Sequence, residues 1–283
     1  MKAIWKALCA AALVGMSILP AHAEAKTIKM GTMSWEDLTP ITLITEKVLQ
    51  DAGYKVKITE FSEWGIAFAA LSKGDIQVLA SQTNYVTQDY WNNYKNNLEK
   101  LSPVSHGLYQ AIAVPSYVPL TSITQLNANA AKFHGKIIGI EPGSGLMRDT
   151  SRAMKAYGLK LRLIDGSTPA MTAELKAAVA RKEWIAVTLW QPSWMMLKFD
   201  MKFLADPKGV YPPPQTYYWI AQKGFAASHP RARELMAGVF VPLSDITAIN
   251  AAVADGKTMQ QAVTAWTTSH ADLIRRWENI KKY

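Results

Sequence analysis

The sequence contains one cysteine, Cys9, placed inside a short apolar run near its start. Everything after it is free of cysteine, so disulfides, thiolate metal sites and cysteine nucleophiles are excluded from the remainder of the chain. Histidine is nearly as scarce. Beyond the N-terminal segment only His106, His134, His229 and His270 occur, and no two have metal-ligand spacing. The Gly-Lys-Ser/Thr ending of a phosphate loop is missing, and the glycine spacing is not that of a dinucleotide fingerprint. Ser144 lies between Gly143 and Gly145 rather than in a nucleophile elbow. No catalytic residue, metal or cofactor is therefore assigned, and the chain is read as a non-enzyme. The formal charge of +9 comes from dispersed lysines and arginines, without a basic segment that would suit nucleic acid. Low-complexity tracts, short repeats and apolar runs long enough for a membrane helix are absent as well.

The N-terminus reads as a secretory leader. Lys2 and Lys6 precede an apolar run over 7–19, and Ala21-His22-Ala23 offers small residues at the cleavage positions. Cleavage is expected after Ala23, leaving Glu24 as the first residue of a periplasmic protein. Cys9 is too early for a lipoprotein site. About 260 residues remain, enough for one large domain or two lobes.

Along those residues the apolar pattern alternates between strand and helix periods. Strands are expected at 27–31, 55–59 and 76–80, with helices at 40–52 and 64–72. On the first helix Ile41, Ile44, Val48 and Leu49 share a face. The order repeats with strands at 136–140, 160–164 and 184–189 and helices at 143–157 and 169–182. Two β-α-β-α-β sets imply two α/β lobes, each a mainly parallel sheet flanked by helices, rather than one continuous sheet. The apolar segments 108–114 and 217–221 are candidates for strands crossing between them, and the helical tail over 232–282 would return to the first lobe. The expected organisation is a leader at 1–23, a first lobe at 24–111 and 220–283, and a second lobe at 112–219. Ligands of such folds bind at the carboxyl ends of the strands.

Four places converge on that cleft. Trp190-Gln191-Pro192-Ser193-Trp194 follows the last strand of the second lobe, where a tryptophan face suits a quaternary ammonium or similar cation. Trp35 occupies the equivalent position of the first lobe, and Thr83-Asn84-Tyr85 follows that lobe's third strand. Gly143-Ser144-Gly145-Leu146 opens a helix, whose unpaired N–H groups suit a carboxylate or phosphate. Trp190 is read as a ligand wall and Trp194 as its packing support. Trp266 and Trp277 fall in tail helices and read as core. Glu36 and Glu141 lie near the cleft, with structural roles the simpler reading.

The segments Gly139-Ile140-Glu141-Pro142-Gly143-Ser144-Gly145-Leu146-Met147, Trp190-Gln191-Pro192-Ser193-Trp194-Met195 and Asp206-Pro207-Lys208-Gly209-Val210-Tyr211 resemble the glycine-betaine-type substrate-binding proteins of ABC importers. Val114-Pro115-Ser116-Tyr117-Val118 is similar to that family's crossing into the second lobe. The resemblance implies a two-lobed periplasmic binding protein, monomeric, that hands a small zwitterion to a membrane permease. It also implies an aromatic cage for the cationic head, to which Trp190 and Trp35 correspond, and backbone N–H groups at Gly145 and Leu146, beside Ser144, for the carboxylate. The sequence departs from the family on the first-lobe side. Thr83 stands where a third cage tryptophan is expected, Gln88 near the place of a carboxylate-binding histidine, and Ser193 in place of another histidine. Tyr85 and Trp64 are the candidates for a replacement wall. Other zwitterions, proline-, histidine- or carnitine-like, therefore remain open as ligands.

Overall fold

Residues 27–81 change from strand to helix period and back, and they fold accordingly in the computed structural model, which describes residues 26–280. Strand β1 (Thr27–Met33) is followed by α1 (Leu38–Asp51), β2 (Lys55–Phe61), α2 (Trp64–Lys73) and β3 (Val78–Ser81). β1 pairs in parallel with both β2 and β3, as right-handed crossovers through helices require. Helix α1 buries Leu38, Ile41, Ile44, Val48 and Leu49 completely, the apolar stripe of an amphipathic helix laid on a sheet. A short helix α3 (Gln88–Tyr94) then leads into β4 (Leu98–Pro115).

The second lobe repeats the pattern with β5 (Lys136–Ile138), α4 (Gly145–Tyr157), β6 (Arg162–Ile164), α5 (Thr168–Ala180) and β7 (Val187–Gln191). The last strand starts later and runs further than its apolar run suggests. Trp184 lies outside it, packed against Phe133 at 5.4 Å beneath the ammonium of Lys132. At the other end the ladder continues through Gln110↔Trp190 and Tyr109↔Gln191, and Pro192, lacking an N–H, stops it. Helix α6 (Trp194–Lys198) and β8 (Met201–Phe203) complete the lobe, and β9 (Gln215–Gln222) leads back.

The sequence pattern suggests two separate sheets, whereas the hydrogen-bonded path is continuous: β2-β1-β3-β9-β4-β7-β5-β6, with β8 also on β4. The reason is the length of β4, which at 18 residues spans about 60 Å. Its first part pairs antiparallel with β9, and its last part with β7 and β8. The register slips at Pro103, which has no N–H to offer the ladder, and again between His106 and Leu108. Gly107 lies at that second slip with φ +93°, a conformation open to glycine, just where β4 changes partners.

Two hydrophobic cores result. One draws on residues between Ile28 and Leu108 and again between Tyr217 and Trp277; the other draws on a single stretch from Ala111 to Tyr211. The tail helices α7 (Phe225–Ser228), α8 (Pro230–Gly238), α9 (Leu243–Ala254), α10 (Met259–Ser269) and α11 (Ala271–Glu278) pack on the first core. α9 also lies against α6 of the other lobe, where Lys198 and Asp255 form an ion pair. Among the described residues no single helix is long and apolar enough to cross a membrane.

Gly139, just after β5, sets the position of the α4 start. A Cβ there would come within 2.4 Å of Met147 Sδ and 2.8 Å of the Ile164 carbonyl oxygen, which belongs to backbone and cannot swing aside. Gly139→Ala is expected to cost about 1–3 kcal/mol of stability through overpacking, read as a drop of several degrees in Tm by circular dichroism.

Candidate functional site

The carboxyl ends of β1, β3, β5 and β7 converge on a cleft of about 940 Å³ whose lining comes from both lobes. The first lobe contributes Trp35, Glu36, Asp37, Trp64, Gln82, Tyr85, Gln88 and Tyr217. The second contributes Glu141, Ser144, Gly145, Leu146, Arg148, Asp149, Arg152 and Trp190, while Tyr109 and Gln110 come from β4. Seven of the eight residues expected from the sequence to contact ligand thus share one cavity: Trp35, Tyr85, Gln88, Ser144, Gly145, Leu146 and Trp190. Thr83 does not line it. β3 ends at Ser81, and the residue that lines the cavity is its neighbour Gln82.

The aromatic walls come from both sides. Trp35 follows β1 and remains 39% exposed, open to the cleft. It meets Trp64 edge-on, with ring centroids 5.2 Å apart and planes at 79°. Trp64 opens α2 and is supported in turn by Phe68 of the same helix. Trp190 closes β7 on the opposite lobe. Its indole Nε1 donates to Glu36 Oε1 at 3.1 Å, a hydrogen bond that crosses the cleft. Trp194 lies outside the cavity against Phe199, at 5.7 Å between centroids.

The first-lobe wall carries two adjacent carboxylates. Glu36 is half-buried; burial and the neighbouring Asp37 push its carboxyl up to about 7, against the opposing hydrogen bonds from Trp190 and Ser193. Asp37 is likewise raised by burial, opposed by the hydroxyl of Tyr217, which donates to Oδ2, and by local backbone N–H groups. Tyr217 also accepts from the amide of Gln82. Gln82 Oε1 is buried with no donor. Trp64 Nε1 is also buried without an acceptor.

The second-lobe wall has the opposite character. Ser144 caps α4, its hydroxyl accepting from Met147 N at 3.3 Å. The N–H groups of Gly145 and Leu146 have no acceptor among the described residues. A Cβ on Gly145 would meet nothing within 4 Å except the Arg148 guanidinium, at 3.5 Å, so this helix start is uncovered with an arginine beside it. Unpaired N–H groups at a helix N-terminus favour an anion. Arg152 is engaged differently, bonding Asp149 Oδ1 at 2.8 Å, while Gln110 bonds the other oxygen at 2.9 Å. Glu141 is occupied by Thr168, whose N–H and hydroxyl reach it at 2.9 and 3.0 Å. Slight burial acts to raise its pKa, but those donors outweigh it and hold the carboxyl below its ordinary value. Among the described residues no cluster of three or more His, Cys, Asp or Glu is arranged to hold a metal.

Sequence reasoning passed over Arg148, Asp149, Gln110 and Gln82. The first two were within reach, because they stand three and four residues after Gly145 and share its helix face. Gln110 depends on the β4–β7 register, which no local pattern reveals.

The raised Glu36 carboxyl has a signed consequence for stability. A group whose pKa rises from 4.5 to about 7 on folding favours the fold fully below pH 4.5, and that contribution is lost as pH climbs through 7. The ligand-free protein therefore carries a cost of about 3 kcal/mol at most above neutrality. Glu36→Gln is expected to raise Tm by several degrees at pH 8, with the gain vanishing toward pH 5. Scanning calorimetry across that range checks it, and a pH-independent difference would refute it.

The chain matches, over residues 26–269, the family model described as the substrate binding domain of ABC-type glycine betaine transport systems. A glycine betaine/carnitine transport binding protein of Listeria monocytogenes is 36% identical over 144 residues, which is 50% of this chain and 48% of that protein. The match thus spans about half the length of that relative. The glycine betaine/proline betaine-binding periplasmic protein of Escherichia coli is 23% identical over 84% of each chain. Among solved structures, lactococcal OpuAC, closed on glycine betaine, superposes with a TM-score of 0.75 at 26% identity, covering 90% of this chain and 100% of that one. A glycine betaine/L-proline-binding protein of Borrelia burgdorferi gives 0.72, also at 26% identity, covering 89% and 96%. The two-lobed α/β fold, the shared cleft and the match along most of the chain agree: this protein belongs to the family of substrate-binding domains of ABC-type glycine betaine transport systems.

Proposed function

We propose that this protein is the exported solute receptor of an ABC importer, capturing a small zwitterion between its lobes and delivering it to a membrane permease without turnover. The observation that carries the reading is the polarity of the cleft. The first-lobe wall has aromatic faces and carboxylates, Trp35, Trp64, Glu36 and Asp37; the second-lobe wall has the open α4 start with Arg148, and its Trp190 reaches across to Glu36. A zwitterion with a cationic head and a carboxylate tail complements both sides in one orientation only.

Magnitudes support capture at micromolar strength. Each cation–π contact contributes about 0.5–2 kcal/mol when desolvated. Each charge-assisted bond at the helix start contributes roughly 1.5–3 kcal/mol. Two or three of each, less the cost of association, reach the roughly −8 kcal/mol of a micromolar complex. Export follows from the leader at 1–23, which lies outside the described residues. Trp35, Trp64 and Trp190 act as the cage, Tyr85 and Gln88 line its first-lobe rim, and Ser144, Gly145, Leu146 and Arg148 hold the carboxylate.

Calorimetry with glycine betaine, proline betaine, carnitine, proline and histidine, and with choline as a control lacking the carboxylate, tests the reading. At least one zwitterion is expected to bind, with choline at least tenfold weaker. Trp190→Ala is expected to weaken the best ligand more than tenfold with the circular dichroism spectrum unchanged; an unaltered Kd would end the cage assignment. Protein recovered from a Gram-negative periplasm is expected to begin at Glu24 by intact-mass measurement, and retention of residues 1–23 would refute the leader.

A further inference from the structure

Glu36 is the cleft residue that an aromatic cage alone does not explain. A trimethylammonium group carries no N–H, spreads its charge over methyl groups and is held by ring faces. It gives a carboxylate nothing to accept. Yet Glu36 follows Trp35 in the first-lobe wall and accepts from Trp190 across the cleft, half-buried, with Asp37 beside it. No lysine or arginine lies within ion-pair distance of either carboxylate among the described residues. The basic residues of the cavity, Arg148 and Arg152, are on the second-lobe helix, and Arg152 is committed to Asp149.

The hydrogen bonds of this wall point the same way. Glu36 accepts from Trp190 Nε1 and from Ser193, which uses two of the roughly four acceptor positions of a carboxylate. Asp37 accepts from the Tyr217 hydroxyl at its Oδ2. The wall is thus rich in acceptors. A buried acceptor left without a donor is costly, and a charged donor is its strongest partner.

Resting on the zwitterion reading above, we propose that Glu36 is a specificity-determining residue that selects cationic heads bearing N–H donors, such as the secondary ammonium of proline or an imidazolium or primary ammonium, over fully N-methylated ones. The ligand's N–H bonds the Glu36 carboxylate while its carbon skeleton lies against Trp35 and Trp190. The raised pKa of Glu36 agrees with a carboxyl lacking a counter-charge that a bound cation supplies.

Matched pairs differing only in N-methylation test this directly: glycine with trimethylglycine, proline with N,N-dimethylproline, and histidine with N,N,N-trimethylhistidine, each titrated calorimetrically into unliganded protein. The unmethylated member of at least one pair is expected to bind tenfold or more tighter than its methylated partner. Glu36→Gln is expected to erase that ratio by weakening the unmethylated ligand at least tenfold and changing the methylated one less than threefold. A ratio below tenfold in every pair, or equal loss of both members in the variant, overturns the role of Glu36 and leaves zwitterion capture intact. Binding of none of the six compounds overturns the zwitterion reading and this inference with it. The wild-type ratios decide the matter without the variant should Glu36→Gln fail to fold.

Discussion

The ladder on β4 is the constraint on which the rest of the molecule hangs. One strand gives its first part to β9 and its last part to β7 and β8, so the two sheets cannot separate without breaking backbone hydrogen bonds. The same strand sets Gln110 opposite Trp190 and carries Tyr109 to the cleft. It changes partner beside Gly107, whose positive φ no β-branched residue would accept comfortably. Hinge motion in two-lobed proteins is absorbed by a few such positions, and a strand that bends while its outer ladders stay intact moves the lobes as bodies.

Around that strand the cleft is assembled from opposed chemistries. Parallel strands bring their carboxyl ends together, where helix starts with free N–H groups also gather. Trp35 and Trp190 occupy that edge in the two lobes, and Glu36 joins them through one hydrogen bond across the gap. The indole is thereby held by its edge, with its ring faces left for other contacts. The open α4 start with Arg148 on one wall, against Glu36 and Asp37 on the other, gives the cavity a direction as well as a shape.

The sequence disclosed those parts of the site that obey a local rule. Trp35 and Trp190 were legible because strand ends in parallel sheets face the cleft, and Gly145 because glycines before an amphipathic helix mark an exposed start. Thr83 was misplaced by one residue relative to Gln82: β3 stops at Ser81, and the exit of a four-residue strand cannot be phased from its pattern. Trp64 opens an apolar helix, a pattern that suits core and cleft wall alike, and its edge contact with Trp35 sets it at the wall. The Glu36–Trp190 bond joins residues 154 apart in sequence, and no window carries such a signal. The continuous sheet escaped notice for a related reason, since an apolar run shows where a strand lies but not that it serves two partners.

The division of the two cores has a consequence for how the chain acquires its structure. The second core is closed by one uninterrupted stretch, whereas the first needs β9 and the tail helices to return to strands made some two hundred residues earlier. Loop closure over such a separation is the slow part of folding, and local contacts form ahead of it. As the polypeptide emerges from its N-terminus, β1 to β3 must wait with apolar faces uncovered while the younger half organises. The half that emerges first is thus the last to be finished, and its exposed strands are the surface most open to misassembly in the interval.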